Sequence, residues 1–380
     1  MSSSSIRRTC ALARKEFLHI LRDARSLGMA IAIPMLMLLL FGYALTLDVD
    51  NVPMVVWDQS DTQLSRDFIS RFHGSRYFSV RGYARTYREV EREIDSGFAL
   101  VALVVPRDFA SRVEAGRPAQ VQMIVDGSDS NTATIAMGYA DVVSLTFSQD
   151  VAIRWMQSVG GPSFAPPLEV RPRVWFNADM ESRNYIVPGL TAVIMMVISA
   201  LLTSLTVARE WERGTMEQLI STPVKGYELV LGKLAPYFAV GMFDMLLAVL
   251  MGKFLFHVPL RGDAVLLFAI AAVFLAGILS MGMLVSILMK SQLLASQIAM
   301  VLTFLPSFLL SGFVYPISNM AKPVQWISYA VPARYFVALM RAIYLKGTGL
   351  ELLAGEIALL VVFGAIMLAL ANARFKKKLT

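Results

Sequence analysis

Cysteine is almost missing: one residue, Cys10, in a chain of 380, so no disulfide can form within it. Histidine is nearly as scarce. His19, His73 and His257 are scattered along the chain, which gives a metal centre or a His-based catalytic site little support. A phosphate loop is also missing. Gly226 and Gly232-Lys233 in GYELVLGKL approach one, but five residues separate the glycines where four are needed, and Leu234 replaces the required Ser or Thr. The run Asp126-Gly127-Ser128-Asp129-Ser130 lacks the closing Glu of a calcium loop and reads as a turn followed by an Asx-type helix cap. There is no Asn-x-Ser/Thr sequon, and no cluster of acidic, His or Lys residues at one membrane face such as a membrane transferase needs.

Charge is sparse as well. Only 17% of residues are charged while 56% are apolar, and the mean hydropathy is +0.58, which is too apolar for an ordinary soluble globular protein. Runs long enough to cross an apolar core of about 30 Å fall at 27–47, 186–207, 235–256, 264–289, 293–315 and 352–370. The expected fold class is an α-helical integral membrane protein of six transmembrane helices, with an extracytoplasmic α/β domain inserted between the first two. The first run follows a basic lead-in of 26 residues and precedes no A-x-A site, so it is expected to stay as an anchor rather than leave as a signal peptide.

The formal charge of +7 is unevenly placed. Arg7, Arg8, Arg14, Lys15, Arg22 and Arg25 precede the first run, and Arg374, Lys376, Lys377 and Lys378 follow the last. The positive-inside rule therefore puts both termini, 1–26 and 371–380, in the cytoplasm, together with the loop 208–234. Residues 48–184 then lie outside. They hold fourteen Arg, no Lys and eighteen acidic residues, so the excess positive charge belongs to the membrane part and nucleic-acid binding loses its support.

Cys10, Ala13, Phe17, Ile20 and Leu21 recur at helical spacing with Arg14, Lys15 and Arg22 around them, which predicts an amphipathic elbow helix lying on the inner surface. Residues 48–184 alternate strand-like and helix-like pieces: Val52–Trp57, Thr62–Phe72, Tyr77–Gly82, Tyr87–Ser96, Leu100–Val105, Arg107–Ala115 and Val121–Val125. A long helix from about Asn131 to Val159, a Gly/Pro-rich link Gly160–Pro167 and a last strand Leu168–Phe176 complete that domain. Residues 316–351, divided by Pro316, Pro323 and Pro332, are too polar for a span and too apolar for an ordinary loop. Re-entrant or interfacial half-helices are expected there, with an amphipathic cap as the alternative.

The most informative stretch is 208–223, AREWERGTMEQLISTP, a dense polar hairpin between two apolar runs. Its charges, Glu210, Glu212, Arg213 and Glu217, cannot enter lipid, while Trp211, Met216, Leu219 and Ile220 offer apolar anchors. Gly214 is expected to break one helix, Thr215 with Gln218 to form the capping box of a second, and Pro223 to end it. Asp244 lies well inside the third run. An ionisable group there is expected to face the bundle interior or a wet cavity with a partner, either on a substrate or ion path or in a helix-packing hydrogen bond.

Two stretches, AREWERGTMEQLISTPVKGYELVLGK at 208–233 and LSGFVYPISNMAKPVQWISYAVPARYFVALMRAIYLKG at 310–347, together with the layout of one span, an outer domain and five more spans, resemble the ABC-2 type permeases of bacterial multidrug and antibiotic exporters. The resemblance covers the whole chain. It implies a permease subunit that pairs with an identical or homologous permease and with two cytoplasmic ABC ATPase subunits. ATP and Mg would be bound by those subunits and no cofactor by this chain, which would not itself be an enzyme. In that picture Glu210, Trp211, Glu212, Arg213, Gly214, Thr215, Glu217 and Gln218 form the ATPase-coupling segment, and Arg14, Lys15, Phe17 and Arg22 belong to the elbow helix. A hydrophobic or amphipathic substrate, drug-like or lipid-like, would pass spans two and five by alternating access. Met195, Met196, Asp244, Met300, Phe304 and Phe308 are candidates for that path, although Met and Phe at such places are more often packing residues. The resemblance also admits a periplasmic adaptor protein. Two other readings compete: a cation exporter of the same family, with Asp244 serving Na+, and a membrane-anchored sensor or adhesion protein, for which one or two spans would suffice.

Overall fold

A computed structural model describes residues 3–45, 49–158, 175–177 and 181–375. The predicted link Gly160–Pro167, most of the strand expected over Leu168–Phe176, and Lys376, Lys377 and Lys378 lie outside these residues; Trp175 and Phe176 are not in a strand. The chain forms two compact units, Met1–Thr46 with Arg173–Thr380, and Leu47–Pro172.

The first unit is helical. It begins with α1 (Ser3–Arg22) and α2 (Ala24–Ala44). The second unit follows in the chain, with β1 (Val52–Asp58), α3 (Gln63–His73), β2 (Phe78–Tyr83), α4 (Tyr87–Asp95), β3 (Val101–Val105), α5 (Phe109–Glu114), β4 (Gln122–Val125) and α6 (Ser130–Ser158). The first unit then resumes with α7 (Ser182–Glu212), α8 (Thr215–Ser221), α9 (Gly226–Phe254), α10 (Ala264–Met289), α11 (Gln292–Leu310), α12 (Lys322–Ser328), α13 (Pro332–Arg341) and α14 (Leu350–Arg374).

Among the described residues, five helices are long and apolar enough to cross a membrane: α7, α9, α10, α11 and α14. The apolar part of α2, Ala30–Ala44, is shorter. The hub of the bundle is α7, whose side chains from Ile186 to Val197 are all buried because α2, α9, α10, α11 and α13 surround it. Its 31 residues rise about 46 Å at 1.5 Å each, long enough to carry its last turn beyond an apolar core. By contrast α11 and α14 turn large apolar side chains outward, including Val301, Leu305, Leu352 and Val362, as helices facing lipid or another apolar surface do.

The expected span 293–315 ends early. α11 stops at Leu310 because Gly312 takes φ 80°, a left-handed conformation that only glycine adopts without strain, and Val314 and Tyr315 leave the helix. The segment after it holds the short helices α12 and α13, and α13 runs into a π-helical turn, Ala342–Lys346, that closes at Gly347 with φ 63°.

The second unit is a four-stranded sheet in the order β2-β1-β3-β4, parallel except for the β3–β4 pair. Strand alternation sorts its side chains. Met54 and Val56 pack with Phe68, Phe72, Phe109 and Phe147, whereas Val55 and Ala102 pack with Val90. The Thr62 hydroxyl caps α3 and the Thr86 hydroxyl caps α4, each accepting from a backbone N–H three residues on. At the start of α6, Asp126 accepts from the Ser128 N–H at 2.9 Å and Asp129 from the Asn131 N–H at 3.1 Å, the Asx turn and cap expected there. The Thr132 hydroxyl bond to Asp129 also holds that carboxyl below its ordinary range.

Candidate functional site

The polar hairpin is a hinge built on the end of α7. At Val207 and Ala208 the helix is still buried, and both backbone N–H groups donate to the Ser286 hydroxyl of α10 at 2.9 Å. Four residues later α7 ends at Glu212, and Gly214 with φ 70° turns the chain into α8. Nothing crowds Gly214, so its backbone conformation alone demands glycine. Thr215 does not form the expected capping box. It is the first residue of α8, the cap position is Gly214, and the Thr215 hydroxyl instead donates to the Glu210 carboxylate. The reason is distance along the fold: the turn at Gly214 brings Thr215 back over the last turn of α7. α8 ends at Ser221, just ahead of Pro223.

Glu210 is the knot of this hinge. It accepts from Lys233 Nζ of α9 at 3.0 Å and from Lys15 Nζ of α1 at 3.5 Å, besides Thr215. Lys233 also donates to Glu16 of α1. Lys233 is 2% and Glu16 5% exposed, so the lysine is buried between two carboxylates from different helices and neither ion can be left alone cheaply. A second ion pair ties α1 to the foot of α9. Arg8 Nε and Nη2 donate to Glu228 at 2.9 and 2.8 Å, Ser5 donates to the same carboxylate at 2.6 Å, and the Lys225 N–H at 2.9 Å. The Glu228 carboxylate lifts the Arg8 guanidinium above its ordinary value, chiefly through that hydrogen bond.

The glycine that resembles part of a phosphate loop has another task. A Cβ on Gly232 would sit 2.7 Å from Leu12 Cβ, so Gly232 lets α1 lie directly on α9. α1 thus packs by a face that includes Ser5, Glu16 and Ile20, while Phe17, Leu18 and Leu21 point outward. The apolar stripe predicted from helical spacing is split: Ile20 faces protein, Phe17 and Leu21 do not.

The predicted coupling residues divide into two groups. Glu212, Arg213, Gly214, Glu217 and Gln218 are exposed. Glu210, Trp211 and Thr215 are half-buried and engaged with the bundle; the Trp211 ring lies 4.7 Å below Lys290 Nζ, in the turn between α10 and α11. Met216 is fully buried beneath α8. Arg14, Phe17 and Arg22 are exposed, and Lys15 alone of the predicted elbow residues reaches the knot. Sequence reasoning missed Glu16, Lys233, Arg8 and Glu228. One signal was available: Glu16 is the only carboxylate in the first 22 residues.

The predicted substrate-path residues do not form one site within the chain. Met195 and Met196 are buried in the middle of α7, and Asp244 is 5% exposed beside Thr191 and Met195 around a void of about 10 Å³, too small for a ligand. One Asp244 oxygen, Oδ1, meets no hydrogen-bond partner among the described residues. Met300, Phe304 and Phe308 lie on α11. Met300 faces outward, and Phe304 and Phe308 stack on each other with ring centres 5.8 Å apart. No group of three or more His, Cys, Asp or Glu side chains stands close enough to hold a metal among the described residues.

A bundle of long apolar helices ending in an ion-paired polar hinge defines a multi-span membrane protein. Residues 25–372 match the ABC-2 family transporter proteins, and the chain belongs to that family. Membership makes it a component of a transporter and not an enzyme in its own right. It is 37% identical to the probable multidrug ABC transporter permease YbhS of Escherichia coli (strain K12) over 99% of this chain and 98% of that one. It is 28% identical to the probable multidrug ABC transporter permease YbhR of the same organism, over 98% and 99% of the two chains. With the inner membrane transport permease YhhJ it shares 25% identity over 86% of this chain and 85% of that one.

Proposed function

We propose that this chain is the permease subunit of an ATP-driven exporter in a bacterial inner membrane, moving a hydrophobic or amphipathic molecule outward by alternating access. It pairs with an identical or homologous permease and with two cytoplasmic ATPase subunits, which bind ATP and Mg. α2 is the first of six spans, both termini are cytoplasmic, the α/β unit is periplasmic, and α12 and α13 are the re-entrant segment. A periplasmic adaptor protein is compatible with that layout. The names of the relatives support the exporter reading and multidrug-like cargo.

The observation that carries the coupling mechanism is the hinge. Arg213, Glu217 and Gln218 are exposed, Glu212 is exposed yet holds the Gln292 N–H of α11, and Glu210 is bonded to α1 and α9. Closure of the ATPase pair pushes α8, Gly214 passes the displacement to α7, and Lys233 with Glu16 and Glu210 makes α1 and α9 follow. Packed helices of this kind shift between discrete arrangements rather than bending continuously. Co-expression with the ATPase encoded beside it tests the proposal. The unmodified pair co-purifies and hydrolyses ATP; Glu217→Lys weakens association, and Gly214→Pro leaves association but lowers transport-linked hydrolysis. A pair that never associates would sink the exporter reading.

One observation favours a second reading, export of Na+: the unpartnered Asp244 oxygen inside α9. Under it, efflux from proteoliposomes depends on Na+ and is lost in Asp244→Asn. Insensitivity of transport to both would leave Asp244 to helix packing. A membrane-anchored sensor or adhesion protein is the third reading, and the number of long apolar helices speaks against it.

A further inference from the structure

Two cavities meet at the foot of α1. One, of about 210 Å³, is polar and is lined among others by Lys15, Glu16, Arg213 and Lys233. The other, of about 200 Å³, is apolar, with walls from Ile33 of α2 and Leu201, Leu202 and Leu205 of α7. They share His19, Arg209 and Tyr237, so a single molecule with a polar head and an apolar tail could occupy both. Ile33 is 40% exposed, which opens the apolar half to the outside of the bundle.

The charges around the polar half are not balanced against one another. Lys233 lies between Glu16 and Glu210, and Lys15 faces Glu210. Arg209 meets Gln292 Oε1 and His19 Nε2, each at 3.4 Å, and no carboxylate within ion-pair distance among the described residues. Arg213 is exposed and has no carboxylate within ion-pair distance among the described residues. Asp23, at the rim of the apolar half, takes part in an interaction of its own. Arg209 and Arg213, neither within ion-pair distance of a carboxylate among the described residues, stand at the mouth of an apolar slot between membrane helices and suit an anionic head whose tails come from the bilayer.

We propose that this joint cavity binds one anionic phospholipid of the adjoining leaflet, its phosphate near Arg209 and Arg213 and one acyl chain against Leu201, Leu202 and Leu205. The lipid would bridge α1, α2, α7 and α9 next to the Lys233 knot. This inference needs only the chain's place in a membrane and is independent of the ATPase reading.

The test titrates the purified full-length chain with phosphatidylglycerol or phosphatidylethanolamine of the same acyl chains and counts adducts by native mass spectrometry. One phosphatidylglycerol per chain is expected, held about fivefold more tightly than phosphatidylethanolamine, the effect of about one basic residue at a membrane surface. Arg213→Gln should erase most of that preference, and Leu202→Trp should remove the adduct of either lipid by filling the apolar half. Should Leu202→Trp fail to give folded protein, Ala30→Leu narrows the same slot from the α2 wall. Equal affinity for the two lipids would overturn the proposal. So would an adduct that survives both slot-filling variants, or one that soluble glycerol phosphate displaces as well as lipid does, since that would make the polar half a phosphate site with no use for a tail.

Discussion

The hinge end of the bundle and the segment after α11 both hold cations, and they neutralise them by opposite means. At the hinge, Lys233 and Arg8 meet carboxylates from helices about 200 residues away in the chain. After α11, Arg341 donates to the carbonyls of Gly312 and Phe313 at 2.9 and 3.1 Å and stacks on the Tyr185 ring at 3.4 Å; Arg334 donates to the Gln325 carbonyl and the Ser328 hydroxyl and stacks on the Tyr329 ring at 3.8 Å. Carbonyls and rings belong to the fold itself and cannot re-pair. Side-chain ion pairs can trade partners as helices slide. The difference teaches how each end is tied: the hinge end by side-chain ion pairs between helices, the other by backbone carbonyls, a hydroxyl and ring faces.

The sharpest way to break this comparison is Lys233→Met, which leaves Glu16 and Glu210 buried without their cation. A loss of about 3–5 kcal/mol is expected, read as thermal unfolding in detergent, with recovery when Glu16→Gln is added. Arg341→Met removes two charge-assisted bonds to carbonyls and should cost about 2–3 kcal/mol. No second substitution of a carboxylate should rescue it; rescue would erase the distinction between the two ends. Gly214→Ala places a methyl group on a left-handed residue and should cost about 1 kcal/mol, with a larger effect on ATPase-coupled transport than on unfolding. The smallest effect belongs to Lys15→Gln. Its ion pair is more than half exposed on the lysine side, so stability should change by less than about 0.5 kcal/mol. A large loss there would mean that the knot is drier than its exposure suggests.

Much of this architecture was legible in the residues, because it rests on local patterns. Short strand-like pieces alternating with helix-like ones marked β1 to β4 within a residue or so, and uninterrupted apolar runs marked the cores of α7, α9, α10, α11 and α14. Gly214 as a helix break was also readable, since left-handed backbone asks for glycine wherever it occurs. What stayed hidden was long-range. Lys233 drew notice only beside Gly232 in a near-match to a phosphate loop that Leu234 rules out; its neighbours in space, Glu16 and Glu210, come from helices that only the fold brings together. Thr215 had the spacing of a cap and was taken by a stronger acceptor five residues back. α11 had apolar residues to continue past Leu310, and Gly312 overruled them.

One contact gives the hinge an internal reporter. Ser291, at the cap position of α11, makes no side-chain cap; the Gln292 N–H is instead held by the Glu212 carboxylate of α7, at 2.7 Å. The first turn of α11 is therefore closed by a group that travels with α7. If α7 shifts, that turn opens to solvent even though no residue of α11 has changed its sequence or its partners downstream. Amide hydrogen exchange over Gln292–Ala295 should accordingly speed up and slow down with the position of α7, which makes α11 a reporter on its neighbour.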